Sequence, residues 1–209
     1  MDLWDEAIVY YQIDDIFKGT QRRIIKQGLR MWEESSCIQF VQRNSNIHRD
    51  YVAITKLECG NEGRSELSLA DGCEEIEIIL YELGHVLGFY HVHQHPDRDQ
   101  LVQINERNID QGYEPEFQRL SRAHVDTLGL PYDCQSVMYY PSDAYAYYNF
   151  WTTIVPKQTI NGTVPNIGNQ KNLSQGDVKA INLLYKCPTC GVFYGVVGLM
   201  SAPMILTQI

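Results

Sequence analysis

Tyr81-Glu82-Leu83-Gly84-His85-Val86-Leu87-Gly88-Phe89-Tyr90-His91, continuing to Pro96-Asp97-Arg98-Asp99, carries the densest chemistry in the sequence. On an α-helix, positions 81 and 85 stand one turn apart on the same face, where two side chains can reach one ion. Position 91 follows 85 by roughly 600° of winding, so an unbroken helix would point His91 away from that ion. Gly88 removes the difficulty, because glycine readily takes the left-handed conformation that ends a helix and turns the chain back. His85, the break at Gly88 and a returning His91 make a metal-site geometry, and Glu82 beside them is the candidate general base.

Around this stretch the pattern is α+β. A helix is expected from about Glu75 to Phe89, apolar nearly all round through Ile76, Ile79, Leu80, Leu83, Val86 and Leu87, as in a helix buried between two lobes. Upstream, Ala7 to Ile13 reads as a strand. Thr20 can cap a helix to about Ser35, with Ile24, Ile25, Leu29 and Trp32 at helical spacing. Ile38 to Val41 and Tyr51 to Leu57 read as two further strands. Downstream, Ser174 and Asp177 form a capping-box-like start for a helix to about Tyr185.

The 209 residues suffice for one sizeable core or two lobes sharing a cleft. A formal net charge of −9 argues against nucleic acid or an anionic membrane surface as partner. Six cysteines with no zinc-ribbon spacing suit a disulfide-bonded extracellular protein. Asn161-Gly162-Thr163 and Asn172-Leu173-Ser174 are glycosylation sequons and point weakly the same way. Met1 to Trp4 have neither a basic nor an apolar signal region, so an upstream signal and pro-segment are expected to lie outside this chain.

The central stretch resembles the extended metzincin signature His-Glu-x-x-His-x-x-Gly-x-x-His. The run Gly88-Phe89-Tyr90-His91 through Pro96-Asp97-Arg98-Asp99 is similar to the astacin family in particular. The resemblance implies a two-lobed astacin-like catalytic domain over residues 3–190: a mixed N-terminal sheet, a buried active-site helix and a C-terminal lobe with a Met-turn. It implies Zn²⁺ on His85 and His91, Glu82 as base and peptide-bond hydrolysis in extracellular proteins. Ser136-Val137-Met138-Tyr139-Tyr140 looks like the Met-turn, with Met138 as the floor beneath the metal and Tyr140 as oxyanion stabiliser. The family disulfides would fall on Cys37–Cys187 and Cys59–Cys73, leaving Cys134 and Cys190 without assigned partners. The loop between Cys59 and Cys73 is cut down relative to the family, which should reshape the strand edge along which family members bind peptide. Leu184-Tyr185-Lys186-Cys187-Pro188-Thr189-Cys190-Gly191 looks like the tolloid branch, and residues 191–209 form an apolar tail of no evident role.

Three departures qualify what carries over. The first zinc histidine of the signature is Tyr81. Losing one of three protein ligands would remove on the order of 3–5 kcal/mol of zinc affinity. A phenol of pKa about 10 costs roughly 4 kcal/mol to deprotonate at pH 7. His91, His93 and His95 alternate, so in an extended segment His93 would share a face with His91 and could supply a replacement ligand. Val92 stands where the family has a glutamate that holds the ammonium of the processed N-terminus, and this sequence starts a few residues short of supplying that ammonium. His95 replaces a family arginine, a change expected at the surface. The segment after the Met-turn lines the S1′ pocket in the family, and Gln170 with Lys171 beside it points to an acidic substrate side chain.

Two functions therefore stand open: a zinc metalloendopeptidase weakened at Tyr81, or a silent domain of the same fold that binds peptides or partner proteins through its cleft. A protein or peptide is the expected partner in both.

Overall fold

The computed structural model describes residues 3–56, 66–69, 72–73, 75–157, 159 and 162–188. Strand β1 (Ile8–Ile13) leads into helix α1 (Gly19–Ser35) and back to β2 (Gln39–Gln42), followed by β3 (Val52–Thr55) and β4 (Glu66–Ser68). The four strands form one sheet in the order β2-β1-β3-β4. Each described pairing is parallel, and the antiparallel partner that a mixed sheet requires is not among the described residues. The crossover through α1 explains the parallel pairing of β1 with β2, since parallel neighbours need a long return.

One face of β1, through Val9 and Ile13, is buried beneath the helices. Helix α1 buries Ile25, Gly28, Leu29 and Trp32, a stripe at the expected helical spacing. It starts one residue before the expected cap: Lys18 occupies the cap position with no side-chain bond, and Gly19 sits at φ +53°. A side chain would resist that backbone, so the glycine rather than Thr20 sets the start. Strand β4 escaped the sequence reading because three residues are too few to show a period, although Leu67 and Ser68 are buried in it.

Helix α2 (Ile76–Val86) packs on α1 closely enough that a Cβ on Gly28 would lie 2.5 Å from Ile79 Cγ2. The indole N–H groups of Trp4 and Trp32 donate to Val86 O (2.9 Å) and Leu80 O (3.3 Å), holding α2 along its length. Beyond it come β5 (Val102–Ile104), paired antiparallel with β6 (Ile154–Pro156), and α3 (Gln175–Leu184).

Two apolar clusters result. One gathers β1, β3, α1, α2, Val137, Met138 and Ile181; the other gathers Val102, Ile109, Phe117, Tyr139, Tyr140, Ile154 and Ile167. Tyr81 and Val92 pack against both, so the central stretch lies on the seam between the lobes.

Cys37 and Cys187 are joined, and Asn182 Nδ2 donates to Ser35 O at 2.8 Å, so the end of α3 is fastened to the end of α1. Closing a loop of 150 residues constrains the unfolded chain strongly. Reduction is expected to lower stability by about 2–5 kcal/mol, read as a fall in the unfolding midpoint with and without thiol reductant. Cys73 is disulfide-bonded, while its expected partner Cys59 lies outside the described residues, as do Cys190 and the tail at 191–209. Cys134 is a free thiol.

Candidate functional site

The C-terminal end of α2 builds the site. Gly88, at φ +101°, closes the helix: its N–H donates to His85 O (3.0 Å) and that of Phe89 to Gly84 O (3.0 Å), the hydrogen-bond pair of a Schellman turn. The chain then reverses, and Val92 N–H donates to Met138 O at 3.1 Å, pinning the returning segment to the loop that carries Met138. His85 Nε2 and His91 Nε2 consequently stand 3.0 Å apart. His85 Nδ1 lies 3.0 Å from Phe89 O, so it carries the ring proton and leaves Nε2 with its lone pair directed at the meeting point.

Met138 lies beneath. It is fully buried, and its Sδ would be 2.2 Å from a Cβ at position 84, so Gly84 is the only residue size that lets the two surfaces meet this closely. The loop around Met138 is held by Asp177 of α3: Oδ1 accepts from Ser136 Oγ (2.6 Å), and Oδ2 accepts from Val137 N (3.0 Å) and Ser174 N (2.9 Å). Ser174 Oγ caps Asp177 N in return at 2.8 Å. The capping box is legible in the local sequence, but this anchor is not, because a contact spanning some forty residues leaves no local pattern. Burial raises the Asp177 carboxyl above its ordinary value, against the pull of these hydrogen bonds.

Tyr81 points into the same place. Its hydroxyl is 2.6 Å from His91 Nε2, and its ring meets His85 edge-on with centroids 4.6 Å apart. A phenol oxygen reaches further from the backbone than an imidazole nitrogen, and here it extends onto the His91 nitrogen itself. Tyr140 is buried against His91 and His93, with ring centroids at 4.6 and 4.2 Å, and its ring stands 6.3 Å from that of Tyr81 and 5.7 Å from that of Tyr145. Burial first, then Tyr145, push the Tyr140 phenol well above its usual pKa. Glu82 lines a cavity of about 360 Å³ together with Tyr81, Tyr140 and Tyr145.

His93 does not join the pair. It lies in a 3₁₀ turn (Val92–Gln94) rather than an extended segment, so the alternation that would align it with His91 is absent. Its Nε2 is 2.9 Å from Glu116 O, and its side chain is fully buried. His95, expected at the surface, is partly buried and stands edge-on to Tyr132 with ring centroids 5.5 Å apart.

The donor set suits zinc at two positions out of three. Burial, followed by the neighbouring His85 and His93, lowers the His91 pKa to about 2, so the ring is neutral and able to donate a lone pair. Zinc–nitrogen bonds of about 2.0–2.1 Å in tetrahedral geometry separate two donors by about 3.3 Å, so the imidazole pair needs to open only slightly. The third position is occupied by the Tyr81 phenol, and among the described residues no group of three His, Cys, Asp or Glu side chains is placed to hold a metal.

Comparison with known proteins gives a consistent assignment. The family described as Astacin, a family of peptidases, matches residues 1–186. The chain is 40% identical over 199 residues to the dorsal-ventral patterning protein tolloid of Drosophila melanogaster, covering 91% of this chain and 19% of that protein. It is also 40% identical over 199 residues to the bone morphogenetic protein 1 homolog of Strongylocentrotus purpuratus, covering 90% of this chain and 31% of that protein. The chain thus spans from about a fifth to a third of these relatives. Among solved structures, high choriolytic enzyme 1, a hatching enzyme zinc-protease from Oryzias latipes (medaka fish), superposes with a TM-score of 0.78 at 30% identity, covering 90% of this chain and 94% of that one.

Proposed function

This chain belongs to the astacin family of peptidases, and we propose that its cleft hydrolyses peptide bonds in extracellular proteins with zinc, at a rate held down by Tyr81. The observation that carries this reading is the approach of His85 Nε2 and His91 Nε2 to 3.0 Å above the buried Met138, with Glu82 in the adjoining cavity. His85 and His91 would hold the ion, which when bound supplies Lewis acidity toward water and the scissile carbonyl. Glu82 takes a proton from the attacking water and delivers it to the leaving amine, work that requires an ionised carboxylate within hydrogen-bond reach. Tyr140 donates a hydrogen bond from its hydroxyl to the developing oxyanion. Residues 3–190 form the catalytic unit on this reading, and the Cys37–Cys187 disulfide supports an oxidising, extracellular setting.

A second reading is favoured by one contact. The Tyr81 hydroxyl, 2.6 Å from His91 Nε2, competes directly for the lone pair that a metal needs, which suits a domain that binds peptides without cutting them. Zinc content per chain and cleavage of casein, with and without 1,10-phenanthroline, separate the two. Casein hydrolysis that the chelator abolishes is the expected result. Stoichiometric zinc without any hydrolysis, or peptide binding with neither, would favour the silent domain.

A further inference from the structure

Glu77 carries a charge that hydrolysis does not use. It lies in the first turn of α2, one turn before Tyr81, with its side chain 13% exposed. Its Oε2 is buried without a hydrogen-bond partner among the described residues. Its Oε1 is 3.6 Å from Lys171 Nζ, whose side chain is 66% exposed. A helix N-terminus tolerates a carboxylate there, but a solvated lysine at that distance is screened and leaves Oε2 unsatisfied.

The surroundings of that carboxylate are those of a cation site. Glu77 and Glu82 are the charged residues lining the 360 Å³ cavity, and Tyr81, Tyr139, Tyr140 and Tyr145 share the remaining wall with smaller side chains. Carboxylate oxygens bind ammonium and guanidinium groups through charge-assisted hydrogen bonds, and tyrosine faces attract the same groups. The two residues from which an acidic preference was read do not line the cavity. Gln170 Nε2 donates to Asn166 O at 3.0 Å, and Lys171 is turned to Glu77.

We infer that Glu77 selects a basic side chain, lysine or arginine, on the substrate residue that enters this cavity. The inference rests on the peptide-cleft reading above and reverses the charge preference expected from Gln170 and Lys171.

Two measurements test it separately from catalysis. Fluorescein-labelled reduced-amide peptides that differ only in carrying Lys, Ala or Asp at one position are titrated into wild-type protein, Glu77→Gln and Glu77→Lys. A random peptide mixture is digested with wild-type and Tyr81→His protein, and the products are sequenced by mass spectrometry. The Lys peptide should bind about tenfold or more tightly than the Ala peptide, with Asp weakest. Glu77→Gln should bring the Lys-to-Ala ratio near one, and Glu77→Lys should put Asp first. Circular dichroism confirms that both variants fold. A ratio untouched by Glu77→Gln, Asp ranked first in wild type, or no binding by any peptide overturns the inference. If the peptides bind in the expected order while Tyr81→His cleaves nothing, hydrolysis fails and Glu77 keeps its role. If cleavage occurs with no basic residue enriched beside the cut, hydrolysis stands and the role of Glu77 falls.

Discussion

Tyr81→His is expected to raise the zinc affinity of the purified protein by roughly two to four orders of magnitude, the equivalent of restoring one ligand worth on the order of 3–5 kcal/mol. Position 81 lies one turn before His85 on α2 and faces the same point, so an imidazole there would complete a set of three neutral nitrogens. In the present chain the phenol lies against His91 Nε2, so this single side chain occupies a ligand lone pair.

The variant should lift that obstruction. Zinc per chain, measured after dialysis against metal-free buffer, should approach one in the variant while the wild type retains less. Casein hydrolysis should rise by a comparable factor, following the gain in occupancy. Tyr81→Phe separates unblocking His91 from adding a ligand, because it removes the hydroxyl from His91 without supplying an imidazole. Equal zinc content and equal hydrolysis in wild type and Tyr81→His would show that the phenol is an adequate ligand and that the site is not weakened.

The helix, the break at Gly88 and the return of His91 were legible because each depends on local sequence: a buried apolar stripe, a residue able to adopt φ +101°, and a fixed spacing. The fold followed from the same stretch through family resemblance. What the sequence did not disclose depends on contacts between distant segments. His93 was given an extended backbone from alternation alone, whereas the chain tightens into a 3₁₀ turn there and Glu116, twenty-three residues on, takes its ring nitrogen. His95 likewise finds Tyr132 across the fold. The acidic preference assigned to Gln170 and Lys171 assumed that proximity in sequence to a pocket segment puts a side chain in the pocket. Gln170 donates instead to Asn166 O, and Lys171 is paired with Glu77 at the cavity wall.

Asp177→Ala is expected to destabilise the chain by about 3–5 kcal/mol, combining a lost helix cap of about 1 kcal/mol with buried donors left unpaired at about 1–3 kcal/mol each. Few single residues here hold so much: Asp177 is 3% exposed and accepts from Ser136 Oγ, Val137 N and Ser174 N, joining the start of α3 to the loop that carries Met138. For a domain of this size the unfolding midpoint should fall by roughly 10 °C, and chemical denaturation gives the free energy directly. Asp177→Asn keeps one acceptor oxygen and should lose about half as much. The pH dependence has a definite sign. Burial raises the folded carboxyl above its unfolded value of 3.8, so the folded state retains a proton that the unfolded chain has released. The stability that Asp177 contributes is therefore fullest below the unfolded pKa and declines as pH rises through the folded one. The wild-type advantage over the Asn variant should shrink across that window. An advantage that grows with pH there would mean that the hydrogen bonds, and not burial, govern this carboxylate. Because Met138 N–H donates to Ser136 Oγ at 3.0 Å, and that hydroxyl is oriented by Asp177, losing the carboxylate should also loosen the floor beneath His85 and His91. Zinc retention in the folded Asn variant should therefore fall below wild type even at temperatures where both are fully native.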